Sequence, residues 1–251
     1  MAGVGHSSFI QDPMPKKAKP FKPVPKRFHP GSLPILYEDH DILVVDKPSG
    51  LLTVSTDRES DRTAFAYLMD YVRKGQAKSR SRVFIVHRLD RETSGLLVFA
   101  KSEESKRWLQ QEWAEFNKTY FAVVRGHLAE KSGVFSSYLA ENGVHKMVSV
   151  KSSDLGKLAK TAYKVIKESK AYSLLEIELM SGKKHQIRVH LSDQGHAVVG
   201  DKKYGQDEKG TKRLMLHAGS LTIKHPYTEE WMTFSSNAPH YFDALMKGPN
   251  A

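Results

Sequence analysis

The chain has 251 residues, enough for one large domain or two small ones with a sizeable core. Its 39 Lys and Arg outnumber 28 Asp and Glu, and the resulting net charge of +11 favours a polyanionic partner over an acidic one, although a merely basic protein fits as well. The absence of Cys excludes disulfides and thiolate metal sites. No apolar run is long enough for a bilayer and no signal-peptide core is visible, so we expect a cytoplasmic protein.

Residues 1–31 read as a disordered basic tail, and residues 32–251 as the folded domain. The tail holds six Pro and six Lys or Arg against a single acidic residue, Asp12. Proline prevents helix and sheet ladders, and like charges keep such a segment extended. An arm that tethers RNA and a solvated leader are equally compatible with this composition.

The first part of the domain alternates short strands with one helix. Residues 35–37 and 42–45 predict paired strands around an acidic turn, and residues 63–72 predict a helix with Ala64 and Leu68 on its inner face. Residues 73–82 are basic and lack apolar side chains, so they form either a loop that contacts phosphates or a plain solvated connection. Residues 83–86 and 96–100 predict buried strands.

The rest of the chain is dominated by strands. Ser102 is suited to cap a helix, because two glutamates follow it in the first turn. Strands are predicted at residues 118–125, 134–139, 144–150, 160–166, 173–180, 214–223 and 231–234. A helix is predicted from Lys184 to about Gln194, with Gly195 at its end. The sum is an α+β fold built mainly on antiparallel sheet.

Residues 86–95 (VHRLDRETSG), here called the signature segment, place a charged loop between two buried strands. Asp90 is flanked by Arg88 and Arg91, and neighbouring cations stabilise the ionised form of a carboxylate. Such a loop is a rigid place from which to present a reactive side chain. An Asp that merely pairs with Arg in a turn is the alternative.

The signature segment resembles the HRLDxxTSG loop of the RluA-type pseudouridine synthases, which isomerise uridine in RNA. Four further segments resemble that family in the same order: residues 43–52, 118–120, 182–190 and 213–218. The resemblance implies a single catalytic domain over residues 32–251, with a mixed, mainly antiparallel sheet whose two halves flank an active-site cleft. It also implies a reaction that requires neither a cofactor nor a metal.

The resemblance assigns catalysis to Asp90, Tyr120 and Arg188. An ionised Asp can act as a nucleophile at C1′ or C6 of the uridine, or help to remove a sugar proton on a glycal route. Tyr120 can stack on the uracil, and its hydroxyl can assist the removal of the C5 proton. Arg188 can pair bidentately with Asp90 and hold its rotamer.

A second group of residues is expected to contact RNA. A target base must leave its stack, and Arg88 resembles the family's Arg that fills the gap. His87, Lys47 and His185 are further RNA contacts, although Lys47 fits a structural role equally well, and His185 is expected to share a helix face with Arg188. Leu214 and Met215 are expected to pack under the site, with one of them touching the uracil.

Two other functions were weighed. A zinc site is rejected because His185 and His190 are five residues apart rather than four. A glycosidase-like hydrolase is rejected because no second carboxylate accompanies Asp90 in a recognisable motif. An RNA-binding or RNA-folding factor that does not rely on catalysis remains the alternative to the enzyme.

The resemblance leaves the substrate open between ribosomal RNA, transfer RNA and both. We see no small N-terminal RNA-binding domain of the kind that many family members carry. In this respect the sequence resembles the compact members that modify stem-loops. We expect a monomer that needs no protein partner and no membrane.

Overall fold

The computed structural model describes residues 33–55, 62–76, 78–205, 211 and 213–247, and the predicted tail of residues 1–31 lies outside them. The strands are β1 (Ile35–Glu38), β2 (Ile42–Lys47), β3 (Phe84–Ile85), β4 (Ser94–Ala100), β5 (Asn117–Arg125), β6 (Ser132–Glu141), β7 (Met147–Val150), β8 (Lys157–Glu168), β9 (Tyr172–Leu179), β10 (Leu216–Lys224) and β11 (Trp231–Ser235). The helices are α1 (Ala64–Arg73), α2 (Glu103–Gln111), α3 (Gln186–Asp193) and α4 (His240–Lys247).

The strands form one mixed sheet in the order β1-β2-β4-β10-β5-β9-β8-β6-β7, with β3 on β4 and β11 on β10. β4 and β10 run parallel where His217 and Ala218 face Ser94 and Gly95, whereas the other named strand pairs are antiparallel. The predicted α+β class with a mainly antiparallel sheet is therefore confirmed. The β4–β10 pair joins the half that contains β1, β2 and β4 to the half that contains β5 to β9.

β4 is buried along its whole length because both faces of the sheet are covered at this point. On one face Leu97 and Phe99 pack with Leu68 of α1. On the other face Leu96 and Val98 pack in the cluster that contains Leu109 of α2. This double coverage explains why residues 96–100 read as a continuous apolar run rather than an alternating one.

Both helices predicted in the first half are present, and Ser102 caps the second one as predicted. Thr63 and Ser102 accept hydrogen bonds from the third residue beyond them, which satisfies an N–H that has no partner inside the helix. The prediction for α3 was wrong at its start. His185 adopts a left-handed φ of 54°, so the helix begins at Gln186 rather than at Lys184.

The sequence patterns missed α4, whose Phe242 and Met246 are buried against the half of the sheet that contains β5 and β9. The predicted strand at residues 214–223 begins two residues later, at Leu216. Within the described ranges, no helix combines the length and the apolar character that crossing a membrane requires.

Gly95 lies where β4 meets β10, and we expect Gly95→Ala to destabilise the fold strongly. Gly95 has a φ of +108°, and an added Cβ would lie 2.2 Å from the carbonyl oxygen of Ala218. Backbone strain and this clash together are expected to lower the free energy of unfolding by about 3 kcal/mol or more, as measured by urea denaturation. Gly143→Ala is the control, because a Cβ there meets nothing within 4 Å. Equal urea midpoints for both variants would contradict this account of the strand junction.

Candidate active site

The signature segment lies at the wall of a cleft of about 720 Å³ that is bordered by both halves of the sheet. The lining residues come from three regions: Leu52 to Ser55, then Val86 to Arg91 with Thr93, Trp113, Lys118 and Tyr120, and then Leu179, Gly182 to Arg188 and Leu216. All five segments that resemble the family contribute to this wall. A cleft between two halves of the sheet is what the resemblance implied.

Asp90 presents its carboxylate in this cleft with 24 % of the side chain exposed. Its Oδ2 accepts a hydrogen bond of 2.7 Å from Nη1 of Arg188, and its Oδ1 lies 3.6 Å from Nε2 of His185. The preceding residue is anchored by Thr53, whose hydroxyl donates to the carbonyl of Leu89 and accepts from its N–H. Arg188, which lies on another element, is thus a cation that contacts Asp90 directly.

Arg188 makes its bidentate pair with a second carboxylate, Asp201. Nε and Nη2 of Arg188 donate to the two carboxylate oxygens of Asp201 at 2.7 and 2.9 Å, while Nη1 alone reaches Asp90. The prediction of a bidentate Arg188–Asp90 pair was therefore wrong. Burial lowers the pKa of Arg188, but the two carboxylates outweigh it, so the pKa stays above its usual value.

Asp201 and Tyr204 belong to a turn that the sequence analysis missed. Oδ1 of Asp201 also accepts the backbone N–H groups of Lys203 and Tyr204, at 2.9 and 3.0 Å. Burial raises the pKa of Asp201, but the hydrogen bonds from Arg188 and the backbone hold it below its usual value. The Tyr204 ring lies 5.2 Å from the Arg188 guanidinium carbon. An Asp that caps its own turn was the available signal, but it says nothing about Arg188.

Tyr120 of β5 lies at the junction of the two halves, since its ring packs against core residues of both. It lines the cleft together with Asp90. Burial, and then the negative charge of Asp90, raise the pKa of the Tyr120 hydroxyl well above its usual value. The phenol is therefore protonated in the free protein at neutral pH.

His185 precedes α3 instead of sharing its face with Arg188, which corrects the predicted helical spacing. With this left-handed backbone, the His185 ring lies between Tyr204 and Asp90. Its Nδ1 lies 2.7 Å from the Tyr204 hydroxyl, and its Nε2 lies near Asp90. Burial lowers the pKa of His185, and the charge of Asp90 opposes this shift. A direct contact between His185 and RNA phosphate stays a prediction.

Lys47 is fully buried, and this position contradicts a role in contacting RNA phosphate. Its ammonium donates to the carbonyl oxygens of Leu51, Pro48 and Arg91 at 2.8, 3.1 and 3.1 Å. Burial lowers the pKa of Lys47 to about 7, against the opposing charges of Asp90 and other carboxylates. The structural alternative holds: Lys47 ties the signature segment to the loop after β2.

His87 and Leu214 are also less accessible than the sequence suggested. The His87 ring stacks on Trp113 at 4.3 Å, and Nε2 accepts the N–H of Val98. Burial, and then the charge of Lys118, lower the pKa of His87 to about 3, so it carries no charge to offer a phosphate at neutral pH. Leu214 is 1 % exposed and packs in the core, whereas Leu216 lines the cleft, so the predicted contact between Leu214 and the base is corrected.

Arg88 is exposed at the wall of the cleft, a position from which it can reach a bound nucleic acid. It is the member of the second group of predicted residues whose side chain meets solvent most freely. Its role in filling the gap left by a displaced base stays a prediction.

One group of potential metal ligands lies elsewhere among the described residues, at the β1–β2 turn: Asp39, Asp41 and His225. Asp39 already accepts hydrogen bonds from the Tyr37 hydroxyl at 2.6 Å and from the N–H groups of Asp41 and Ile42. It also pairs with Nε2 of His225 at 2.8 Å. These hydrogen bonds explain why the three residues lie together: they stabilise the turn. The expectation of a reaction without metal stays a prediction.

Lys47→Met is expected to destabilise the protein, because three partly buried carbonyls lose their donor. Each unpaired buried acceptor costs roughly 1–3 kcal/mol, so we expect the free energy of unfolding at pH 7 to fall by at least about 2 kcal/mol. In the unfolded chain, Lys47 has the ordinary lysine pKa of 10.5. Between pH 7 and that value the unfolded chain binds a proton that the folded chain lacks, so rising pH stabilises the wild type.

The difference in unfolding free energy between wild type and Lys47→Met should therefore widen from pH 7 to pH 10, as urea denaturation at each pH would measure. Lys170→Met, at an exposed position before β9, serves as the control. The account of Lys47 as a buried lysine with a lowered pKa would be contradicted if the difference in unfolding free energy were absent at pH 7 or narrowed as the pH rises.

Comparison with known proteins agrees with the site. A family model described as RNA pseudouridylate synthase matches residues 41–193. The chain is 34 % identical over 244 residues to ribosomal large subunit pseudouridine synthase D of Zymomonas mobilis, covering 90 % of this chain and 76 % of that protein. It is 35 % identical over 214 residues to an uncharacterized RNA pseudouridine synthase of Bacillus subtilis, covering 83 % and 70 % of the two chains.

A solved structure supports the same conclusion. Human RNA pseudouridylate synthase domain containing 4 superposes with a TM-score of 0.69 at 25 % identity, covering 83 % of this chain and 90 % of that one. The family model spans more than half of the sequence, and the described strands and helices build the corresponding fold. The chain belongs to the RNA pseudouridylate synthase family.

Proposed function

We propose that Asp90 performs the chemistry by which this chain converts uridine in RNA into pseudouridine, without a cofactor. The observation that carries the proposal is the placement of the Asp90 carboxylate in the cleft, 2.7 Å from a guanidinium that is itself held by a second carboxylate. A carboxylate that is partly exposed and paired with a fixed cation is held in one orientation towards the cleft, which is what a nucleophile or base requires.

The reaction is an isomerisation, so its atoms balance within the nucleotide. The bond between C1′ and N1 breaks, the uracil rotates, and a bond forms between C5 and C1′. The proton on C5 leaves and N1 gains one, with no net oxidation or reduction. Asp90 can attack C1′, attack C6 or help to remove a sugar proton, and all three routes need the same ionised carboxylate in the same cleft.

Tyr120 contributes a ring for the uracil and a hydroxyl for the proton on C5. Stacking of a base on an aromatic side chain is worth roughly 1–3 kcal/mol. Because the phenol is protonated in the free cleft, it must pass on its own proton before it accepts the one from C5. The negative charge of Asp90 beside Tyr120 raises the pKa of this hydroxyl and opposes the loss of its proton, so the transfer is favoured once Asp90 has given up that charge during the reaction.

Asp201 acts through Arg188 and is a positioning residue. By taking two of the guanidinium nitrogens, it sets the plane of the group and leaves Nη1 directed at Asp90. Asp201 is completely buried, so it neutralises Arg188 without offering a second carboxylate to the substrate. This arrangement differs from the paired carboxylates of a glycosidase, in which both groups face the scissile bond.

The substrate is proposed to be ribosomal RNA of the large subunit, since relatives such as that of Zymomonas mobilis carry this substrate in their names. Transfer RNA remains the second substrate class. Arg88 is proposed to occupy the gap in the RNA stack when the target base enters the cleft. We further propose that the protein is a monomer and that it works in the cytoplasm without a protein partner.

Asp90→Asn tests the central role most simply. The substitution preserves shape and a hydrogen-bond acceptor for Arg188 but removes the charge and the nucleophile, so turnover should fall by roughly 10⁴-fold or more. Turnover is measured as tritium release from ribosomal RNA labelled at uridine C5. Glu92→Gln, which neutralises an exposed carboxylate two residues away, should retain activity. Wild-type turnover by Asp90→Asn would remove Asp90 from the mechanism and leave the RNA-binding factor as the better account.

Tyr120→Phe and Tyr120→Leu separate the ring from the hydroxyl. Phe keeps the stacking surface, so we expect KM to be retained and kcat to fall, because the group that takes the C5 proton is missing. Leu removes both, so KM should rise by roughly tenfold as well, which corresponds to about 1.4 kcal/mol. If Tyr120→Phe turned over at the wild-type rate, the hydroxyl would have no part in proton transfer.

A further inference from the structure

A second cavity, of about 460 Å³, opens beside the active-site cleft, between α1, β3 and α2. Its lining residues are Phe65, Met69, Arg73, Arg82, Val83, Phe84, Ile85 and Lys106. No residue of this group belongs to the catalytic set described above. The cavity includes both ends of the basic connection, residues 73–82, which the sequence left open between a phosphate contact and a solvated loop.

One wall of this cavity is apolar and comes from α1. Phe65, Met69 and Arg73 follow one another at intervals of four residues, so they share a single stripe of the helix. The neighbouring residues Ala64 and Leu68 face the core instead and are fully buried. Phe65 and Met69 are only partly buried, so part of each side chain is available to a planar ligand, whereas Phe84 of β3 packs with the cluster on the opposite face of the sheet.

The other wall is cationic. Arg73, Arg82 and Lys106 line the cavity, and none of the described lining residues is a carboxylate. Nε of Arg73 is buried and, within the described part of the chain, meets no hydrogen-bond acceptor. Residues 73–82 contain five Lys or Arg and no Asp or Glu, so the positive charge continues beyond the cavity. An anionic group is the complement of this wall.

The second cavity and the active-site cleft share a narrow ridge. Ile85 lines the second cavity and the next residue, Val86, lines the cleft. The ridge is equally thin on its other side, where the N–H of Phe65 donates to the carbonyl of Thr53, a residue of the cleft, at 3.1 Å. The two cavities therefore adjoin along the chain at residues 85 and 86, so the second cavity lies beside the path of a polymer held in the cleft.

We propose that the second cavity binds a nucleotide of the substrate RNA that flanks the target uridine. The base lies against Phe65 and Met69, and the phosphate pairs with Arg73 and Arg82. Lys106 is partly neutralised by Glu103 at 3.1 Å and contributes less. The inference rests on the proposed function, because it takes the RNA in the cleft as the source of the flanking nucleotide. It makes the basic connection a phosphate contact.

The test compares two double variants that remove the same charge. Arg73→Gln combined with Arg82→Gln removes two positive charges from the second cavity. The control, Lys164→Gln combined with Lys167→Gln, removes two exposed positive charges from β8. Binding of a fluorescein-labelled oligouridine is followed by fluorescence anisotropy over a range of KCl concentrations. Each phosphate contact to a single strand contributes about 0.7 to the salt slope, or roughly fourfold in affinity at about 0.15 M salt.

We expect the Arg73 and Arg82 variant to bind roughly tenfold more weakly than wild type and to lose about 1.4 from its salt slope, while the control keeps both within experimental error. Equal affinity and slope for the two double variants would overturn the inference. Tritium release from ribosomal RNA labelled at uridine C5 then tests the proposed function separately from the proposed nucleotide site. Release by wild type supports the proposed function whatever the binding shows, and no release by wild type refutes that function independently.

Discussion

The guanidinium of Arg188 is shared between two carboxylates of opposite exposure, and the geometry of the active site depends on this sharing. Asp201 is buried and takes Nε and Nη2, whereas Asp90 is open to the cleft and takes Nη1. A planar group held along one edge can direct its remaining nitrogen in only one way. Lysine has no planar fork, so it cannot give two nitrogens to Asp201 and direct a third at Asp90, as arginine does here.

The same ion pair connects the two halves of the molecule. Asp90 precedes β4 in one half, and Arg188 lies on α3 in the other, 98 residues away in the chain. The signature segment is also fixed from behind, since Lys47 binds the carbonyl of Arg91, Thr53 binds Leu89, and the Ser49 hydroxyl donates to the carbonyl of Glu92. A reactive carboxylate whose backbone and partner are both held loses little freedom when the substrate arrives.

Sequence alone could predict what is encoded locally. Alternation of apolar residues predicted β9, the cap at Ser102 predicted one helix start, and the family motifs pointed to Asp90, Tyr120 and Arg188. It could not predict Asp201 as the partner of Arg188, because a carboxylate beside two lysines looks solvated until the fold buries it. The burial of Lys47 has the same origin: a lysine in a loop reads as exposed, and only tertiary contacts supply its three carbonyls.

The most direct test of this account is a double-mutant cycle between Asp201→Asn and Arg188→Lys, with kcat read from tritium release on ribosomal RNA labelled at uridine C5. If Asp201 acts through Arg188, Asp201→Asn lowers kcat in the wild-type background but costs little more once Arg188 is lysine. The coupling energy is then at least about 1 kcal/mol. If instead the two losses multiply, with no coupling between the residues, Asp201 does not position Arg188 and the shared guanidinium is not the basis of the site.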